Sequence, residues 1–142
     1  MKFFYCSFNE WKKLETNIKK QYLFLATSYT TPVYFTGKKF NQFVPSESLH
    51  KDACVDFLNS NFMERYTQQI HSLNKHEIFN LLKQYNRNII VFLVWEAENK
   101  PSERDVFIPW LTNCNKNDIK AFSFLSYLNQ KEIQNNSNIF NL

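Results

Sequence analysis

The sequence predicts a small three-layer, Rossmann-like α/β domain with a mostly parallel sheet, and three observations lead there. Two short β-favouring runs, KFFYCSF at 2–8 and YLFLATS at 22–28, flank a polar segment with Trp11, Leu14 and Ile18 at helical spacing, the signature of a β-α-β unit. A third run, IIVFLVW at 89–95, is apolar on both faces, as in a parallel strand covered by helices on both sides. Two amphipathic segments precede it, so helices alternate with strands and the sheet lies between them.

In chain order, MKFFYCSF reads as the first strand and not as a leader, because it has one Lys, few apolar residues and Glu10 close behind. The connection from 29 to about 50 shows no periodic element and is longer than an ordinary loop, which favours a cover over a site. Phe62, Met63, Tyr66 and Ile70 share one face of a helix, and Ile78, Phe79, Leu82 and Tyr85 share one face of the next, with Asn61 and Asn74 as caps. Phe4, Leu23, Leu25, Ile90, Phe92 and Leu93 form the expected sheet core. A helix starts at Ser102 and is kinked by Pro109 or ends near Ile108. IKAFSFLSYL at 119–128 is expected to be an edge strand, closing a single domain at 1–128 before a polar Asn-rich tail at 129–142.

Composition excludes several function classes. With 44% hydrophobic residues, fifteen Phe, seven Tyr and three Trp, the chain supports one core that buries roughly 70% of the surface it exposes when unfolded. The longest apolar run has seven residues, against about 20 for a membrane span, so a soluble, cytoplasmic protein without membrane contact is expected. Cys6, Cys54 and Cys114 form no C-x-x-C pair, and His50, His71 and His76 lack ligand spacing, so neither a metal site nor a disulfide framework is legible. No cofactor is indicated. Gly37, the single glycine, rules out Gly-rich phosphate loops. The net charge of +4 comes from scattered lysines and favours an anionic partner without the basic run that extended nucleic acid requires. Eighteen Asn and a preference for Lys over Arg look like the codon bias of an AT-rich genome.

In a parallel sheet, ligands sit beyond the carboxyl ends of the strands. That rule gathers Ser7 after the first strand, Ser28, Tyr29, Thr31 and Tyr34 after the second, and Trp95, Glu96, Ser102 and Arg104 after the third as candidate ligand-binding residues. Ser102 followed by Asp105 also fits the S-x-x-[DE] capping box, and Ser28 and Thr31 fit the turn before Pro32. Trp95 is open to two roles, core or stacking platform. Glu96 and Glu103 are candidate catalytic residues, an acid pair able to split its pKa values and cleave a glycosidic or phosphoester bond.

The ordered set FYCSF, TTPVYFTG, FVPSESL, ERYTQQIHSLNKHEI and FLVWEAENKPSERDVFIPWL resembles the family catalogued as domain of unknown function 488, over about residues 2 to 111. The resemblance implies that Val94, Ser102 and Glu103 stand where that family carries Cys, Cys and His, with Arg104 kept and Tyr29 in place of a frequent Arg. It therefore implies a member whose thiol chemistry is altered, with Arg104 meeting an anion or pairing with Glu96. The resulting expectation is a binding module for a small anionic, nucleotide-like ligand. In a chain of phage or mobile-element origin, it would sequester a host nucleotide signal. The alternatives are a hydrolase or transferase acting on a nucleotide or base, and a protein-interaction domain; homo-oligomers stay open.

Overall fold

A computed structural model describes the backbone of residues 1–140 and the side chains of residues 1–136. The strands are β1 (Lys2–Ser7), β2 (Leu23–Ala26), β3 (Lys38–Lys39) and β4 (Ile89–Val94). The helices are α1 (Phe8–Lys13), α2 (Thr16–Gln21), α3 (Glu47–Val55), α4 (Phe62–His71), α5 (Lys75–Lys83), α6 (Arg104–Thr112) and α7 (Phe124–Phe140). Tight 3-10 turns at Asn41–Phe43 and Lys116–Phe122 complete the chain. All strand pairs are parallel, in the order β1-β4-β2-β3. The register sets Tyr5 and Leu25 on either side of Phe92.

Strand side chains alternate between two cores, as the two-residue period requires. Phe3, Tyr5, Leu25, Ile90, Phe92 and Val94 face the layer that includes Leu49 of α3, Tyr66 and Ile70 of α4, Ile78 and Leu82 of α5, and Phe107 of α6. Phe4, Cys6, Phe24, Ala26, Val91 and Leu93 face Phe8 of α1 and Phe124 of α7. The expected sheet core is buried, except that Leu23 is only half-buried. Aromatic rings dominate: Phe92 meets Phe3, Phe40, Phe43 and Phe107 at centroid distances of 6.0, 6.1, 5.4 and 5.2 Å.

Both amphipathic segments are helices. Asn74 caps α5 by accepting the Glu77 N–H at 3.0 Å, whereas Asn61 stands at the start of α4 in the left-handed conformation (φ 53°) without a side-chain cap bond. Three sequence expectations are corrected. Residues 119–128 are not an edge strand: the 3-10 turn and then α7 occupy them, and Ser123 alone bridges to Tyr5. The spacing of Phe124, Tyr127 and Leu128 is helical and packs these residues onto Phe4, Tyr22 and Phe24, while the alternation of Phe122 with Phe124 imitates a strand. The helix continues through residues 129–140 of the Asn-rich segment, and Asn141 and Leu142 lie outside the described residues. The 29–50 connection is not without structure, since it holds β3, a 3-10 turn and the start of α3; two residues of strand are too few to show a period. Finally, α6 does not end near Ile108: it continues with Pro109 inside it to Thr112 and is followed by left-handed Asn113.

Candidate functional site

β1 and β4 are neighbours whose onward connections leave on opposite faces of the sheet. β1 leads into α1 on the Phe8 side and β4 leads to α6 on the Phe107 side. Such a switch point is where parallel sheets place a ligand crevice, beyond the carboxyl ends of the strands. The structure divides the candidate residues around it into three groups.

The first group is spent on holding the loops. Ser7 caps α1: its Oγ accepts the Glu10 N–H at 3.1 Å while Glu10 Oε1 accepts the Ser7 N–H at 2.9 Å, the reciprocal bonds of a capping box. The Ser28 hydroxyl donates to the Thr30 carbonyl at 2.6 Å, and the Trp95 indole N–H donates to the same carbonyl at 2.8 Å. Thr27, missed in the sequence, is fully buried and donates its hydroxyl to the Leu93 carbonyl at 3.0 Å. Thr31 is half-buried in the same loop.

The second group turns away from the crevice centre. Tyr34 stacks on Trp11 at 6.3 Å, with Lys12 Nζ 4.9 Å from its ring. Tyr29 stacks on His50 of α3 at 4.0 Å, and Cys54 Sγ lies 3.6 Å from His50 Nε2. This Cys54–His50 pair is spaced i, i+4 on one helix, a signal that a search for C-x-x-C and paired histidines passes over.

The third group is the site proper. Glu103, only 9% exposed, lies against Glu96, and burial, the Glu96 charge and a hydrogen bond with Glu96 push its carboxyl up to about 7. The Ser102 hydroxyl donates to Glu103 Oε2 at 3.3 Å and pulls the other way. Glu96 Oε2 is buried and no group donates to it among the described residues, and two neighbouring carboxyls do not readily both ionise. Tyr66, which no sequence signal marked, belongs to this neighbourhood: burial and the Glu103 charge raise its phenol well above the ordinary range, and its hydroxyl donates to the Phe43 carbonyl at 2.6 Å.

α6 begins at Arg104 with Glu103 as its N-cap and no side-chain cap bond, so Ser102, expected to start it, stands just ahead. Its N–H donates to Asp105 Oδ2 at 3.0 Å, the acid half of the expected capping box, while its Oγ stands 3.5 Å from the Arg104 N–H. Arg104 departs from both of its expected roles. Its guanidinium, 2% exposed, donates from Nη1 to the Glu96 carbonyl at 3.1 Å and from Nη2 to the carbonyls of Ala97, Glu98 and Lys100 at 2.9, 2.9 and 2.8 Å. Nε lies 3.8 Å from Asp105 Oδ1, and the Tyr5 ring covers the group at 5.1 Å. Arg104 thus folds the loop after β4 around itself through main-chain oxygens and pairs with the backbone of Glu96, not its carboxylate. Tyr5 hydrogen-bonds Glu98 Oε1 at 2.9 Å, and burial with that bond raises its phenol.

Cys6, Cys54 and Cys114 are free thiols, and burial pushes the Cys6 thiol far up, which makes it a poor nucleophile. No three His, Cys, Asp or Glu side chains gather as metal ligands among the described residues, and none of the described helices is long and apolar enough to cross a membrane. Comparison with family models, with curated proteins and with solved structures finds no match for this chain.

Proposed function

We propose that the strand-end crevice is an acid–base site acting on a small, polar, nucleotide-like molecule, as a hydrolase or transferase with Glu96 and Glu103 as its working pair. The observation that carries this reading is the meeting of two carboxyl groups beside Ser102, one of them buried and protonated near neutral pH. A carboxyl group titrating near 7 can give a proton and take it back under ordinary conditions. In a dyad sharing one proton, one carboxylate draws a proton from water while its partner supplies one to the leaving group.

The resemblance to the domain of unknown function 488 family is part of the same proposal. It is supported by the convergence of Glu96, Ser102, Glu103 and Arg104, which stand at its motif positions, around one loop. Retention without turnover is the second reading, favoured by Trp95: its ring is 44% exposed next to Glu96 and offers a face to a flat base. Sequestration of a nucleotide signal would follow from that reading.

The test is incubation of the protein with nucleosides, nucleotides and cyclic dinucleotides, followed by mass analysis of what is recovered. Conversion by the wild type that is lost in folded Glu96→Gln and Glu103→Gln is the expected result. A tightly held, unaltered ligand selects retention, and undiminished conversion by both variants overturns the site.

A further inference from the structure

A second place suits a small ligand, away from the acid pair. Between α1 and α2 on one side and the start of β2 with residues 35–38 on the other lies a cleft of about 460 Å³, within the size range of small-molecule sites. Its floor is aromatic. Phe35 is wedged between Phe8 and Trp11 at centroid distances of 5.4 and 5.2 Å, and Trp11 meets Phe24 at 6.4 Å. Gly37 belongs to this floor: a Cβ there would stand 2.5 Å from Phe35 Cζ, so the backbone can lie on the ring only because the residue is glycine.

The rim carries the charge. Lys19, Lys20 and Lys38 line the cleft with the hydroxyls of Thr16 and Thr36, and no carboxylate lines it. None of these lysines forms an ion pair among the described residues. Lys19 Nζ lies 4.3 Å from the centre of the Trp11 ring, at the junction of rim and floor. The Trp11 indole N–H is buried and has no acceptor among the described residues, a donor that ordinarily finds a partner when buried. The neighbouring cleft towards α7 is different in kind, because Glu15 and Glu132 line it together with Lys13 and Lys131.

We infer that the Trp11–Phe35 cleft binds a small anion carrying a flat ring, of the nucleoside monophosphate class. Aromatic walls take the ring, and the ammonium groups of Lys20 and Lys38, with Lys19 beside them, meet the phosphate. The inference is independent of the acid pair, since none of Glu96, Ser102 or Glu103 lines the cleft.

Calorimetry with AMP, adenosine and inorganic phosphate tests it. AMP is expected to bind more tightly than adenosine or phosphate by about tenfold or more, and more weakly as salt rises. The double variant Lys20→Glu, Lys38→Glu, both at exposed positions, should weaken AMP by at least about tenfold while the melting temperature stays put. Trp11→Phe, which keeps a ring but narrows the stacking face, should weaken AMP without changing inorganic phosphate. Adenosine binding as tightly as AMP, or AMP binding that survives the lysine reversal, overturns the inference. AMP binding abolished by Glu103→Gln and untouched by the lysine reversal also overturns it, and assigns the nucleotide to the crevice.

Discussion

The indole N–H of Trp95 and the hydroxyl of Ser28 converge on one oxygen, the Thr30 carbonyl, at 2.8 and 2.6 Å. The loop after β4 is thereby tied to the loop after β2. Trp95→Phe keeps an aromatic ring against Phe8, now 5.0 Å away, and removes the donor. It should cost about 1 kcal/mol in denaturant titrations and speed amide exchange in residues 28–31.

Glu103 makes stability depend on pH. Its carboxyl titrates near 7 in the folded chain against an ordinary 4.5, so between those values the folded state holds more protons than the unfolded one, and stability falls as pH rises. The loss should begin above about pH 4.5, be complete above about pH 7, and amount to roughly 2 to 4 kcal/mol. Glu103→Gln, which mimics the protonated form, should flatten this part of the profile and raise the melting temperature at pH 8. An unchanged slope in that variant would remove Glu103 as its source.

Ser102→Ala should shift that titration upward, because the Ser102 hydroxyl stabilises the charged form of Glu103. The α6 start should weaken by no more than about 1 kcal/mol, since the bond from Ser102 to the Asp105 carboxylate uses the main-chain N–H as donor and survives. Carbon NMR of the Glu103 carboxyl against pH reads both protonation states directly.

Arg104→Ala should behave as a folding defect. Carbonyls of Glu96, Ala97, Glu98 and Lys100 lose their donor together, for an expected loss of about 3 to 5 kcal/mol by analogy with breaking a buried charge pair. Arg104→Lys should recover little, because an ammonium cannot span the fork of donors. A melting temperature within a degree of wild type in both variants would contradict this role.

Phe92→Ala empties the centre of the larger core, where four rings surround it, and should cost about 3 to 5 kcal/mol. Thermal unfolding followed by near-ultraviolet circular dichroism reports the loss of packing as well as the shift in midpoint.

What was legible followed from periodicity and chain order. The three longer strands and both helices ahead of β4 announce themselves by spacing, because burial of whole faces leaves a repeat in the sequence. β3 does not, since Lys38 and Lys39 join the sheet through main-chain pairing alone. Arg104 could be singled out but not understood, because its partners are carbonyl oxygens that every residue owns. Glu96 and Glu103 were legible as candidates; their contact depends on how the loop wraps Arg104, which is tertiary. Trp11 and Gly37 acquire their meaning only when Phe35 folds back beneath them.

Ser123 bridges to Tyr5 from outside the sheet, against the free side of β1. β1 is a margin of the sheet, and a bare margin recruits strands from other molecules. Here the turn leading into α7 occupies part of that side, and the exposed charge of Lys2 guards the start of the strand. Cleavage within Lys116–Lys120, followed by release of the carboxyl-terminal segment, would uncover β1 and strip Phe124 from the core at one stroke. The nicked chain would then present an open strand border just as it lost its packing.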